Sequence, residues 1–154
     1  MKKTAVIAVA LGAGLATAAP AQAADARPFR ADYAGTATPT GTGMAFVGQG
    51  LATGLGRITV TGEAVITGPS TACAGGIANT NTQVLTAANG DTLTVVADDV
   101  ACPDDSPTSF YGIGEYTVSS GTGRFAALRG SGSVSGHIDF LTGAFELHLN
   151  GTVR

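Results

Sequence analysis

Residues 55–67 follow a period of two. Ile58, Val60, Ala64 and Ile66 fall on one face, and Arg57, Thr59, Thr61 and Glu63 on the other. That is the pattern of a strand with one buried face. Nothing in the chain shows a competing helical period, and the best helical candidate is one turn at 124–128. The spacing predicts eight strands, at 29–38, 45–53, 55–67, 80–88, 91–100, 109–119, 130–141 and 144–153. Asn89-Gly90 and Thr142-Gly143 are hairpin turn signals, and Pro-, Gly- and Cys-bearing loops are expected at 68–79 and 101–108. Many short strands joined by hairpins make one all-β domain: an eight-stranded antiparallel β-barrel, or else a β-sandwich. A barrel of that size holds a packed core or one small ligand.

The composition agrees. Charged residues are 12% and aromatics 6%, with no Trp, but 44% of the chain is hydrophobic. Disordered chains are hydrophobe-poor, so the low charge does not indicate disorder. The 23 glycines carry no G-X-Y period, which excludes collagen.

Residues 1–23 read as a signal peptide. Lys2 and Lys3 form a positive start, residues 5–16 a short apolar run, and Ala21-Gln22-Ala23 a cleavage site. Residues 24–154 are then the single folded domain, secreted to an extracellular compartment. The start looks bacterial. No later apolar run is long enough for a membrane anchor. Without Lys2 and Lys3, six arginines face eleven acidic residues, a net charge of −5. Nucleic acid and anionic membrane surfaces both need a basic face, so neither is an expected partner. In an exported chain the pair Cys73 and Cys102 reads as a disulfide, with two free thiols, one of them nucleophilic, as the alternative. It closes a loop of about 30 residues, worth roughly 3 kcal/mol on chain entropy.

The last hairpin has an expected register. A two-residue turn at Thr142-Gly143 pairs Phe140 with Phe145, Ile138 with Leu147, and Gly136 with Leu149. The opposite face then pairs His137 with His148, Asp139 with Glu146, and Ser135 with Asn150, about 5 Å apart. Histidines beside carboxylates are metal ligands or acid–base groups, and a solvated outer face is the plainer reading.

Two further groups carry candidate chemistry. Asp98, Asp99, Asp104 and Asp105 put four carboxylates around Cys102, an oxygen-rich set for a cation, though without an EF-hand spacing. A solvated acidic loop is the alternative, and no metal site is assigned. Glu115 shares a face with Tyr111 and Ile113. If that face lines a barrel, Glu115 is a desolvated carboxyl suited to general acid work; if it points outward, it is solvated. No nucleophile elbow, nucleotide loop or H-E-x-x-H motif is present, and no cofactor is expected.

Residues 114–130 carry a resemblance. Ser120-Gly121-Thr122-Gly123-Arg124-Phe125, then Leu128-Arg129-Gly130, is similar to the G-G-T-G-x-F turn and A-R-G-like step of the allene oxide cyclase and dirigent barrel superfamily. Ser120 stands for the first glycine and Leu128 for the alanine. The following Gly-Ser-rich strand and last hairpin resemble bacterial secreted members. In this reading Gly121 and Gly123 take positive φ, Phe125 plugs one barrel end, and Arg129 pairs with a carboxylate. The resemblance implies an antiparallel eight-stranded barrel, often homo-oligomeric, whose cavity holds a hydrophobic small molecule.

The expected function is a secreted barrel that binds such a molecule and, in an enzymatic version, guides its cyclisation or isomerisation. Glu115 and Arg129 are the candidate acid and charge stabiliser, and Tyr111, Ile113 and Tyr116 the candidate ligand contacts. The alternative is a non-catalytic structural or interaction domain with a packed core. Space decides between them. Gly112, Gly114, Gly132 and Gly136, if inward, either leave a cavity or serve strand coiling.

Overall fold

The computed structural model describes residues 25–154; the expected signal peptide, 1–23, and the start at Ala24 lie outside the described residues. Eight strands close into one antiparallel ring. They are β1 (Arg27–Pro39), β2 (Gly43–Ala52), β3 (Gly56–Ser70), β4 (Gly76–Ala87), β5 (Thr92–Pro103), β6 (Ser109–Gly121), β7 (Gly130–Asp139) and β8 (Ala144–Val153). Each pairs with the next, and β8 returns to β1. Closure satisfies the strand edges and rules out the sandwich. A 3-10 turn, Gly123–Phe125, replaces the helical turn expected at 124–128.

The strands run further than expected into both loops. β3 continues to Ser70 through a bulge between Ile66 and Gly68, and β5 continues to Pro103. β2 stops pairing with β3 at Val65. Beyond it, β3 meets only β4, so Pro69 breaks no two-sided ladder. The resulting extension of the sheet is tied by the disulfide Cys73–Cys102, with Cα atoms 6.0 Å apart.

The lumen has two different halves. At one end lie the starts of the odd strands and the ends of the even ones. There Phe29, Leu55, Ile58, Leu85, Leu93, Leu149 and Phe125 pack without exposure of note. Phe125 plugs this end as the resemblance implies. Gly123 takes positive φ (54°), but Gly121 does not. Gly121 is there because a Cβ would lie 2.3 Å from the carbonyl oxygen of Phe125.

Some inward glycines make room for rings that lie across them. Tyr116 crosses neighbouring Gly132 and Gly151: a Cβ on Gly151 would lie 2.7 Å from the Tyr116 hydroxyl oxygen. A Cβ on Gly62 would lie 2.3 Å from the Phe46 ring. Gly114 and Gly132 instead admit close approach of the next strand, since a Cβ there would lie 2.1 Å from the Asp98 carbonyl oxygen and 2.2 Å from that of Asn150. Gly112 differs, since a Cβ there would meet nothing closer than 4.0 Å.

The last hairpin keeps the expected faces but not the expected register. Ile138 pairs with Phe145, Gly136 with Leu147, and His137 with Glu146, two residues away from the two-residue-turn alignment. Asp139 is the cause. Its Oδ1 accepts the backbone N–H groups of Leu141 and Thr142 at 2.8 and 2.9 Å, and Gly143 N–H reaches the Asp139 carbonyl at 2.8 Å. The side chain thus caps a four-residue loop, closed by Gly143 at φ 74°. Phe140, released from the ladder, packs edge-on against Phe110, with ring centroids 4.8 Å apart.

Candidate functional site

The unplugged end of the barrel contains a cavity of about 130 Å³. Its wall is apolar: Met44, Phe46, Ile66, Ile77, Ile138, Phe140, Phe145 and Leu147. Gly112 and Gly136 line it as well, but only Gly112 leaves space open, since a Cβ on Gly136 would lie 2.1 Å from the Glu146 carbonyl oxygen and 2.6 Å from the Leu147 side chain.

A polar row crosses the lumen beneath this wall. The Tyr33 hydroxyl donates to Gln83 Oε1, and Gln83 Nε2 donates to Asn81 Oδ1 at 3.0 Å. Asn81 Nδ2 then donates to Asp99 Oδ2, and Asn79 Nδ2 to Asp99 Oδ1. Strand parity puts them there. Asn79, Asn81 and Gln83 share the inward side of β4 with Leu85 and Ala87, and Asp99 shares that of β5 with Leu93, Val95 and Ala97. The row satisfies buried amides that would otherwise be costly. Asn79, Asn81 and Asp99 border the cavity itself.

Asp99 is the electrostatic centre. Burial pushes its carboxyl up to about 6; the Asn79 amide opposes the shift, and the negative charge of neighbouring Asp98 adds to it. No arginine or histidine forms an ion pair with it among the described residues. Tyr33 is raised above the ordinary phenol value, by burial first and the Asp99 charge second. The site can therefore hold an apolar body against the wall and accept a proton or hydrogen bond at its floor. Sequence reasoning did not select Asp99 for this role; the i, i+2 parity from Ala97 was the available signal.

The sequence candidates land elsewhere. Tyr111, Ile113 and Glu115 point outward, Ile113 being 48% exposed, so Glu115 is not the desolvated carboxyl that an inward face would have made. Glu115 sits on the outer wall directly opposite Asp98, a like-charged neighbour. Arg129 is exposed and bonds the Leu128 carbonyl at 2.8 Å instead of a carboxylate. It lies at the plugged end, away from Glu115, so the two do not form one site. Tyr116 does face inward, but in the packed half, where its hydroxyl is buried without a partner.

The two histidines are not directly opposed. His148 faces Ser135 and bonds Asp32 Oδ1 of β1 through Nδ1 at 2.7 Å, while His137 Nδ1 lies 3.3 Å from Asp104 and its ring stacks near Tyr111. Asp98 and Asp99 are on opposite faces, and Asp104 is engaged by His137. Among the described residues no three potential metal ligands come together.

No family model, curated protein or solved structure matches the chain.

Proposed function

We propose that this protein is a secreted barrel of the allene oxide cyclase and dirigent type that binds a small hydrophobic molecule in the open half of its lumen. One observation carries the reading: an apolar cavity of about 130 Å³ at the unplugged end, with a carboxylate and two amides at its floor. An engineered apolar cavity of roughly 150 Å³ holds benzene, so the buried part of the ligand is about one small ring. If the bound molecule is cyclised or isomerised, Asp99 is the carboxyl that borders it; Glu115 faces away from the lumen and Arg129 lies at the plugged end.

The packed half favours a second reading, a structural barrel whose glycines serve only ring packing. Native mass spectrometry of the protein from its own culture medium separates the two. A retained small-molecule mass, lost on denaturation, is expected. A clean protein mass, still clean after incubation with a lipophilic extract, overturns ligand binding in favour of the structural reading.

A further inference from the structure

Beyond the cavity itself, the molecule confines its arginines to one end of the barrel axis, where Asp32 and Asp91 pair with Arg30 and Arg124. All six arginines among the described residues lie in the plugged half: Arg27, Arg30, Arg57, Arg124, Arg129 and Arg154. There are no lysines among these residues. The open end carries Asp104, Asp105, Asp139 and Glu146 in its strand ends and loops, with His137 as the one basic side chain. The outer rim of the open end is thus acidic, while the one carboxylate that lines the cavity is Asp99. Such a rim raises the local concentration of cations and repels anions.

Inside the cavity the complement is the same. Asp99 is mostly buried and receives only neutral amide donors, from Asn79 and Asn81. Two donors leave part of its acceptor capacity free. Buried charges are ordinarily paired, and nothing in the described chain pairs this one. The wall above it includes Phe46, Phe140 and Phe145, with Phe46 and Phe145 edge-to-face at 5.5 Å. Aromatic rings combined with a carboxylate are how proteins bind ammonium groups.

We infer that the ligand is a small apolar amine, whose ammonium group sits on Asp99 and whose hydrocarbon body fills the phenylalanine-lined wall. This rests on the cavity being a ligand site, and it adds the ligand's charge. At neutral pH Asp99, raised only to about 6, is mainly ionised, and an ammonium supplies the positive charge that the fold withholds.

Isothermal titration with isosteric probes tests it. Benzylamine carries the cation at pH 7.5; benzyl alcohol has the same size and no charge. Benzylamine is expected to bind about tenfold tighter or more, as a charge-assisted bond does over a neutral one. In Asp99→Asn that ratio is expected to fall to about one. Equal binding of the two probes to the unaltered protein, or a ratio that survives Asp99→Asn, overturns the amine assignment while the cavity remains a ligand site. Binding of neither probe overturns both readings.

Discussion

Replacing Asp99 by Asn should stabilise the barrel at neutral pH and not in acid. Its carboxyl is raised from 3.8 to about 6 by burial. At about 1.4 kcal/mol per pKa unit, this is on the order of 3 kcal/mol. The folded protein holds this proton to higher pH than the unfolded chain does. The effect is therefore absent below about pH 4, grows as the pH rises towards 6, and is a full penalty above it. An amide escapes that penalty. It also loses something: Asp99 accepts two Asn side chains, and an amide can face only one of them with its oxygen. One lost bond costs about 1 kcal/mol. The net expectation is a gain of roughly 1–2 kcal/mol at pH 7.5 and a loss of about 1 kcal/mol at pH 3.5. Urea denaturation of both proteins at both pH values measures it. Comparing the change in one protein with the change in the other removes the shared titrations. Among those, Asp32, held low by Arg30 and His148, and Asp139, held low by backbone N–H groups, act in the opposite sense. If the two proteins lose and gain stability in parallel with pH, Asp99 is not a desolvated carboxyl in the folded barrel.

Two further outcomes follow from packing and cross-linking. Cys73→Ser with Cys102→Ser should remove about 3 kcal/mol and lower the thermal midpoint by roughly 10 °C, while circular dichroism still reports the barrel; a midpoint unchanged on reduction would count against the cross-link's role. Gly62→Ala drives a methyl group against the Phe46 ring and the Thr82 carbonyl, and should cost about 1–3 kcal/mol. Gly112→Ala enters open space and should change stability by less than about 0.5 kcal/mol; equal costs for the two, measured by urea denaturation, would show that the Phe46 ring does not explain Gly62.

Much of the architecture was legible because it is local. Alternation at Ile58, Val60 and Ala64, the glycine turns and the paired cysteines need only short stretches of chain to be read. The last hairpin shows the limit of such reading. Thr142-Gly143 looks like a two-residue turn, and the apolar faces match in that alignment. They match equally well two residues away, because face parity repeats every second residue. The Asp139 carboxylate, by capping Leu141 and Thr142, selects the second alignment. The site was less legible. On β6 both faces carry large apolar residues, Tyr111 and Ile113 on one and Tyr116 and Val118 on the other, so hydrophobicity could not choose between them. On β4 both faces are polar around Asn79 and Asn81, which concealed an inward row that Leu85 and Ala87 would have located.

The number of strands, their approximate limits, the all-β class and the pair of cysteines can be read from the residues alone. These depend on periodicity, turn chemistry and counting, all of which act over a few residues. Tertiary structure was needed to settle which face of each strand lines the lumen, that Tyr116 fills one half while Phe46, Phe145 and Asp99 border a cavity in the other, and that the arginines gather at the plugged end. A period of two specifies that neighbours point opposite ways but not which way is in. Only closure of the ring sets that direction, because it brings inward side chains from distant strands into one small volume where rings and glycines must fit together.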